Sequence, residues 1–370
     1  MRVLAVVGTR PEAIKMAPVV RLLKRDRRFR LILCSTGQHR DLVGRALRSF
    51  GLRADWDLGV MRHGQSCGQV LRRVAQAMDG ALRRWRPGLV LVEGDTTSVL
   101  GAAVAATRLG IPVGHVEAGL RSFDWSRPFP EEGNRLLVDH ASALLFAPTS
   151  AARRNLLAEG VPAHKVFVTG NTAVDALSWA RLGPRWDHPR LRGIPGARLA
   201  AVTLHRRESF GAPLQGLFEG LLRAVERLPD LVWVYPVHPN PHVSRLARRV
   251  LRHDRVLLLP PLPYPEFVRL LERCEFILTD SGGVQEEAPT LGKPVLVARE
   301  KTERPELLAR GGRLIGFSPR RLVKEVGLLA AGLGPKAPSK NPFGDGRAAE
   351  RILAAILHWR GLGPAPRSFA

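Results

Sequence analysis

The sequence predicts an α/β protein made of two Rossmann-like domains, each with a parallel sheet. Short apolar runs typical of buried strands alternate with helical segments along the chain. This alternation stops at residues 181–198, which hold three prolines and three glycines, and then begins again. Alternating strands and helices of this kind build sheets with helices on both faces. We expect a first domain of residues 1–175 plus 351–370, and a second of residues 176–350.

The first half contains six predicted strands separated by helical segments. The strands are expected at residues 2–7, 30–35, 89–92, 111–115, 143–146 and 166–169. Pro11 suits the first turn of the helix after the first strand, because its missing N–H needs no partner there. Apolar residues at helical spacing predict a long helix from Ser66 to Trp85. The small residues from Ser98 to Ala106 allow the next helix to pack closely.

The second half repeats the pattern. Its strands are expected at residues 199–203, 231–235, 256–259, 276–278 and 295–297. An apolar stripe between Ala348 and Leu357 has helical spacing and no strand after it. We expect this last helix to pack back on the first domain.

Composition limits the classes of partner. The chain has 370 residues and a formal charge of +24, but its basic residues are scattered and are not interleaved with aromatic residues. This argues against a nucleic-acid partner and for attraction to acidic ligands such as a nucleotide diphosphate. Three widely spaced cysteines fit neither a disulfide framework nor a zinc site, so no metal is expected. No apolar run has the length of a signal peptide or a membrane span, which predicts a cytoplasmic protein without a membrane partner.

A candidate anion site lies in the stretch from Asp280 to Pro294, between two predicted strands. Ser281, Gly282 and Gly283 leave the backbone N–H groups of a helix start open to a phosphate. Glu286 and Glu287 are expected in the first turn of that helix, where its dipole favours negative charge and where a carboxylate could bind a ribose diol. The alternative is that Asp280 and Ser281 only cap an ordinary helix.

Further charged residues follow strands of the first half. Arg10 and Lys15 surround the first helix start, an arrangement suited to a diphosphate, although they could be ordinary surface cations. Asp95 and Glu117 both lie just past the carboxyl ends of predicted parallel strands, where open α/β sheets place their ligands. Glu131 starts a helix over the same edge and is either a third site carboxylate or an ordinary first-turn carboxylate.

Nine motifs in order resemble those of the non-hydrolysing UDP-N-acetylglucosamine 2-epimerase family. They are Gly8–Lys15, Gly94–Thr97, Gly114–Arg121, Pro130–Glu132, Gly170–Thr172, His205–Glu208, Pro236–Pro241, Asp280–Glu287 and Thr302–Glu306. The resemblance runs from residue 2 to about residue 357. It implies the glycosyltransferase-B type of fold, with a nucleotide sugar bound in a cleft between the domains and a C-terminal helix crossing back to the first.

The resemblance also implies roles for individual residues. The UDP moiety would be held by Arg10, Lys15, His205, Phe267, Ser281, Gly282, Gly283, Glu287 and Arg304. The catalytic residues would be Asp95, Glu117, Glu131 and His205. A second, regulatory substrate site would map to Gln38, His39, Gln65 and His238, although the residues around Gln65 depart from the usual pattern. A homodimer without a cofactor is expected.

The implied reaction is reversible epimerisation at C2 of UDP-N-acetylglucosamine to UDP-N-acetylmannosamine, for surface polysaccharide precursors. The C2 hydrogen is not acidic, so UDP must leave with it, giving 2-acetamidoglucal, before UDP adds back. This route needs carboxylates on both faces of C2, cations around the diphosphate and exclusion of water. Three alternatives stay open: a C3-modified UDP-sugar substrate, a hydrolysing epimerase that releases N-acetylmannosamine, and a glycosyltransferase of the same fold.

Overall fold

The computed structural model describes residues 1–38, 40–62, 64–126, 128–182, 197–309, 311–336 and 340–369. The chain divides into two compact units: unit 1 is Met1–Trp179 with Phe343–Ala370, and unit 2 is Ala180–Pro342. Most of the linker predicted at residues 181–198 lies outside the described residues.

Unit 1 is built on a seven-stranded parallel sheet with the strand order β3-β2-β1-β4-β5-β6-β7. The strands are β1 Arg2–Val7, β2 Arg30–Ser35, β3 Trp56–Asp57, β4 Leu89–Glu93, β5 Val113–Val116, β6 Leu144–Ala147 and β7 Val166–Val168. The helices are α1 Arg10–Arg25, α2 Arg40–Ser49, α3 Cys67–Trp85, α4 Thr97–Arg108, α5 Glu131–Ala141, α6 Ser150–Ala158 and α7 Thr172–Ala180. Phe343–Ala370 adds the C-terminal helix of the same unit, which spans Ala348–Trp359.

Unit 2 has a six-stranded parallel sheet with the strand order β10-β9-β8-β11-β12-β13. Its strands are β8 Arg198–Thr203, β9 Leu231–Pro236, β10 Val256–Leu259, β11 Phe276–Thr279, β12 Val295–Val297 and β13 Gly312–Leu314. Its helices are α8 Ala212–Arg227, α9 Pro241–Val250, α10 Tyr264–Arg273, α11 Gly282–Glu287, α12 Pro305–Leu308 and α13 Pro319–Ala330. The C-terminal helix Ala348–Trp359 is therefore α14.

The predicted α/β class with two parallel sheets is confirmed, and each predicted strand is present. Two edge strands were not predicted: β3 at Trp56–Asp57 and β13 at Gly312–Leu314. A two-residue strand carries no periodicity, and the Gly-Arg-Leu of β13 is not an apolar run. Both form because a neighbouring strand offers its free backbone edge.

Local sequence explains where the helices of unit 1 begin and how they pack. Ser66 Oγ accepts from Gln69 N at 3.3 Å, while Gln69 Oε1 accepts from Ser66 N at 2.9 Å, so the two side chains cap the start of α3 reciprocally. Gly101 lets α4 approach α3, since an added Cβ would lie 2.8 Å from Val74 Cβ. Gly101 thus serves packing between α4 and α3, whereas the prediction concerned packing of α4 against the sheet.

Among the described residues, no helix combines the length and the hydropathy needed to span a membrane. No group of three or more His, Cys, Asp or Glu side chains among them is placed to hold a metal ion.

A half-buried carboxylate joins α7 to the start of the C-terminal helix. Asp175 Oδ2 accepts from Ala348 N at 3.1 Å, and Oδ1 accepts from Ala349 N at 2.8 Å. Burial raises the pKa of Asp175 to about 6, against the lowering effect of these two hydrogen bonds. A carboxyl whose pKa is higher in the folded than in the unfolded chain contributes stability below its unfolded pKa and loses it as the pH rises through the folded pKa.

We therefore expect the stability of the wild type to fall relative to that of Asp175→Asn as the pH rises from below 3.8 to above 6. The loss should approach about 3 kcal/mol, since one pKa unit corresponds to about 1.4 kcal/mol. Urea unfolding of both proteins across this pH range measures it. If the free energies of unfolding of the two proteins changed equally with pH, the Asp175 carboxyl would have the same pKa in the folded and the unfolded chain.

Candidate active site

The turns after β1, β4 and β5 meet at one edge of the unit 1 sheet, because these strands are neighbours and all run parallel. Glu12, in the first turn of α1, joins two of these turns. Its Oε2 accepts from Gly8 N at 2.6 Å and Thr9 N at 3.3 Å, and its Oε1 accepts from the hydroxyls of Thr9 at 2.8 Å and Thr96 at 2.9 Å. Burial raises the pKa of Glu12, and the four hydrogen bonds oppose that rise.

Lys15 lies with the carboxylates of this edge. Its ammonium is bonded to Glu117 Oε2, and Glu93 Oε1 is 3.5 Å away. All three side chains are buried, with at most 7% of their surface exposed. A buried ammonium between two carboxylates favours the charged form of each group.

Glu117 follows β5 in a conformation that is uncommon for a residue with a side chain, with φ of +68°. Its Oε2 accepts from Asn171 Nδ2 at 3.0 Å, and its carbonyl oxygen accepts from Arg135 Nη1 at 2.6 Å. The left-handed conformation costs about 1 kcal/mol. Strained backbone of this kind is concentrated at functional sites, so the conformation supports a functional role for Glu117.

Arg135, on α5, connects the two predicted carboxylates. Its Nη2 donates to Asp95 Oδ2 and lies 3.5 Å from Glu117 Oε1. The neighbouring Asn134 donates through Nδ2 to the Asp95 carbonyl oxygen at 2.9 Å. Asp95 and Glu117 are thus brought to one guanidinium, with Asp95 partly exposed and Glu117 buried.

Glu131 is the first residue of α5, as predicted, and is half-buried. The adjacent Glu132 has a structural role: its carboxylate accepts from Ser122 N at 3.0 Å, Ser122 Oγ at 2.9 Å and Phe123 N at 2.9 Å. Residues 122–130 form the predicted non-helical segment in the part that is described. Glu132 therefore holds the start of this segment against α5.

The turn after β8 in unit 2 is organised by Asp280, which follows β11. Its Oδ2 accepts from His205 N at 2.6 Å and Arg206 N at 2.8 Å, and its Oδ1 lies 3.4 Å from His205 Nδ1. The His205 ring is one-third exposed and stacks on His238, with the ring centroids 5.2 Å apart. The structure thus brings His238, from the predicted regulatory site, into contact with His205, one of the predicted catalytic residues.

The predicted anion stretch forms a helix of only six residues, α11, with Ser281 at its N-cap. Ser281 and Gly283 are half-buried, and an added Cβ at Gly283 would meet nothing within 4 Å. Glu286 and Glu287 lie at the end of α11, so their predicted place in its first turn is wrong. The helix is short because the chain turns at residues 288–292.

The carboxylates of Glu286 and Glu287 bind other side chains and do not bind the start of α11. Glu287 Oε1 accepts from the Tyr264 hydroxyl at 2.9 Å. Glu286 Oε1 accepts from Arg304 Nε at 2.6 Å. Phe267, half-buried on α10, is one turn after Tyr264.

Arg304 lies in a buried network of charges. Its Nη1 donates to Glu303 Oε2 at 3.0 Å, and Arg299 Nη1 donates to the same oxygen at 2.9 Å. Burial alone would raise the pKa of Glu303, but the charges of Arg299, Arg304 and Arg206 hold it well below its usual range. The Arg304 guanidinium also packs on Gly282, where an added Cβ would lie 2.6 Å from its Cζ.

The other predicted regulatory residues are in unit 1. Gln38 Oε1 accepts from Ser98 Oγ at 2.6 Å, and Gln65 Oε1 accepts from Arg62 N at 2.6 Å in the segment before α3. His39 lies outside the described residues. Among the predicted phosphate ligands, Arg10 is half-buried at the start of α1.

Four residues of these contacts were not predicted as site residues: Glu12, Arg135, Asn171 and Asp280. Three of them lie inside the family motifs, and Arg135 comes four residues after Glu131, on the same face of α5. That spacing is a usable signal for Arg135. The roles of the others depend on contacts between distant segments, such as the one between Asn171 and Glu117.

Two parallel sheets with charged residues past the carboxyl ends of their strands define an α/β enzyme of the glycosyltransferase-B fold type. The family model described as UDP-N-acetylglucosamine 2-epimerase matches residues 21–357. The chain belongs to this family of isomerases, as the nine motifs predicted.

Individual relatives agree in sequence and in structure. The UDP-N-acetylglucosamine 2-epimerase of Yersinia pestis is 44% identical over 370 residues, covering 96% of this chain and 98% of that protein. The S. aureus MnaA structure with UDP is 36% identical, with a TM-score of 0.94 and full coverage of both chains. The Neisseria meningitidis UDP-GlcNAc 2-epimerase bound to UDP-GlcNAc is 37% identical, with a TM-score of 0.90, covering 97% of this chain and 100% of that one.

Proposed function

We propose that the protein interconverts UDP-N-acetylglucosamine and UDP-N-acetylmannosamine without net hydrolysis. The observation that carries this proposal is the grouping of Asp95 and Glu117 on the Arg135 guanidinium, with Lys15 on the far oxygen of Glu117. Of two carboxyl groups held in this way, the ionised form of one can take a proton from a sugar carbon and the protonated form of the other can give one. The family membership and the ligands of the solved relatives support the choice of substrate.

In the proposed reaction a carboxylate of unit 1 takes the proton from C2 while the bond between C1 and the diphosphate oxygen breaks. The C2–H electron pair forms the C1=C2 bond of 2-acetamidoglucal, and UDP leaves with the pair of the broken bond. A second carboxyl group, in its protonated form, then gives its proton to C2 on the opposite face. The C1=C2 pair forms the new C2–H bond as the UDP oxygen adds to C1. We assign the C2 chemistry to Asp95 and Glu117, with Glu131 relaying protons.

The diphosphate must be stabilised as it leaves, since it gains negative charge. We assign this role to Arg10, Lys15 and His205, together with Arg304 and the backbone of Ser281–Gly283. The Asp280 carboxylate orients the backbone of His205 and Arg206 for this purpose. Phe267 would pack on the uracil and Glu287 would bind the ribose. Each step uses side chains of this protein, and the proposal includes no cofactor.

We also propose that the protein is a cytoplasmic homodimer and that it serves the synthesis of surface polysaccharide precursors. A second substrate molecule would be bound by Gln38, His39, Gln65 and His238. The family resemblance supports these proposals. The stacking of His238 on His205 would let the second molecule act on the first.

Proton NMR of UDP-N-acetylglucosamine incubated with the protein in deuterated water tests the proposal. We expect UDP-N-acetylmannosamine to appear with deuterium at C2 of both sugars and with the diphosphate still attached. Free N-acetylmannosamine and UDP as the end products would instead show a hydrolysing epimerase. A C3-modified UDP-sugar that reacts while UDP-N-acetylglucosamine does not would move the assignment to that substrate.

A further inference from the structure

His115 is fully buried in β5, two residues before Glu117, and both nitrogens of its ring lie against oxygen atoms. Nε2 is 2.8 Å from the carbonyl oxygen of Gly94, and Nδ1 is 2.7 Å from Asp139 Oδ1. A carbonyl oxygen can only accept a hydrogen bond, so Nε2 carries a hydrogen. Whether Nδ1 also donates depends on the charge of Asp139.

Asp139 is surrounded by donors. Its Oδ2 accepts from Gly119 N at 3.1 Å and from Arg121 Nη2 at 2.7 Å. Arg121 in turn makes two hydrogen bonds to Glu159, at 2.8 and 2.6 Å. Burial alone would raise the pKa of Asp139, but the charges and hydrogen bonds of His115 and Arg121 hold it below its usual value. An ionised Asp139 can only accept at Oδ1, so a ring that bonds to both this oxygen and the Gly94 carbonyl oxygen donates from both nitrogens.

These contacts join three segments that carry the site. Gly94 directly precedes Asp95 in the turn after β4, Gly119 is in the turn after β5, and Asp139 is on α5. Gly119 itself cannot be replaced without moving α6, because an added Cβ would lie 2.4 Å from Ala152 O. The His115–Asp139 pair therefore sets the position of the Asp95 turn relative to α5.

Helix α5 also contacts Asp95 directly. Arg135 Nη2 bonds to the Asp95 carboxylate, and Asn134 bonds to its carbonyl oxygen. Arg135 and Asp139 are four residues apart, so they lie on one face of α5. A change in the bond between His115 and Gly94 would shift Asp95 relative to the guanidinium that pairs with it.

We propose that His115, doubly protonated between Asp139 and the Gly94 carbonyl, is a positioning residue that places Asp95 for the proton transfer at C2. This inference extends the proposed function, since it assigns the pair a task in that reaction. A histidine that only filled the core would not need a hydrogen-bond acceptor at each of its two ring nitrogens. An imidazolium also gives the buried Asp139 carboxylate a second cation beside Arg121.

The protonation is tested on the wild-type protein with 15N-labelled histidine. Long-range proton–nitrogen correlation spectra at neutral pH distinguish a ring with two N–H groups from either neutral tautomer. We expect the His115 signals, identified by their absence from His115→Asn, to show two protonated nitrogens. One unprotonated nitrogen would overturn the charged state, whatever the protein catalyses.

Two variants separate the two bonds of the ring. In His115→Asn the amide nitrogen can take the place of Nδ1 and keep the bond to Asp139, but the bond to Gly94 is lost. In His115→Gln the amide nitrogen can reach Gly94 while the bond to Asp139 is lost. We expect His115→Asn to lower kcat on the order of 100-fold, because small displacements of a catalytic group have effects of that size. His115→Gln should lower it less, and KM should stay within about twofold in both.

The controls make each outcome decisive. Asp175→Asn, which changes a half-buried carboxylate that bonds to the start of the C-terminal helix, should keep the wild-type kcat. A wild-type kcat in His115→Asn would contradict the positioning role. The role would also be contradicted if both variants lost the same factor in kcat and the same number of degrees in unfolding temperature.

If both variants fail to fold, Asp139→Asn replaces them, and there we expect a neutral His115 ring with a lowered kcat. A wild type without epimerase activity would refute the proposed function and the positioning role but leave the NMR test intact.

Discussion

Replacing Glu117 by glutamine is expected to lower kcat by about 10²- to 10⁴-fold, the usual contribution of a group that transfers a proton in the transition state. Glutamine has nearly the same shape and can still accept from Lys15 and Asn171, so the contacts of the folded protein are largely kept. Lys15 also keeps Glu93 as a partner. The loss should therefore appear in catalysis and not in folding.

The measurement is the rate of deuterium incorporation at C2, together with the rate of epimerisation, in the wild type and in Glu117→Gln. Asp175→Asn is the matched control, because it also replaces a hydrogen-bonded carboxylate of unit 1 by its amide. We expect the control to exchange and epimerise at the wild-type rate. Wild-type exchange in Glu117→Gln would remove Glu117 from the proton-transfer step.

Alanine at two adjacent glycines of unit 2 should have opposite effects on stability. At Gly282 an added Cβ would lie 2.6 Å from Arg304 Cζ, and the guanidinium is held by Glu286 and Glu303. The overpacking should destabilise the fold by about 1–3 kcal/mol. At Gly283 the added Cβ meets nothing within 4 Å, so the unfolding temperature should stay the same or rise, since alanine is the better helix former.

The same pair tests the proposed phosphate site. If the diphosphate binds against the backbone here, Gly283→Ala should raise KM about tenfold, equivalent to about 1.4 kcal/mol, while the protein itself is as stable as the wild type. Thermal unfolding with and without UDP, combined with steady-state kinetics, separates the two effects. An unchanged KM in Gly283→Ala would mean that the ligand does not approach this glycine.

The sequence was informative wherever the signal is local. Apolar runs predicted the interior strands because a strand covered by helices on both faces must be apolar throughout. The place of Asp95 and Glu117 past two neighbouring strands also follows from the order of elements, since parallel strands end at the same edge of a sheet. The four-residue spacing places Arg135 on the same face of α5 as Glu131, but which carboxylates it meets depends on how α5 is rotated over that edge.

The errors were of two physical kinds. The edge strands β3 and β13 exist because a neighbour offers hydrogen bonds, and neither has a pattern of its own. Glu286 and Glu287 were expected to complement a helix dipole, but the chain turns soon after and Arg304 and Tyr264 become their partners. Helix length and buried ion pairs are set by the packing of other segments.

By itself, the sequence determined the α/β class, the parallel strands of both halves, the family, and the residue types available for the chemistry. All of these depend on periodicity or on motifs within a few residues. Only the tertiary structure decided which charges meet: Lys15 with Glu117, Arg135 with Asp95, and His115 with Asp139. The last two pairs span 40 and 24 residues of sequence. Burial gives these contacts their strength, because a charge withdrawn from water requires a partner close by.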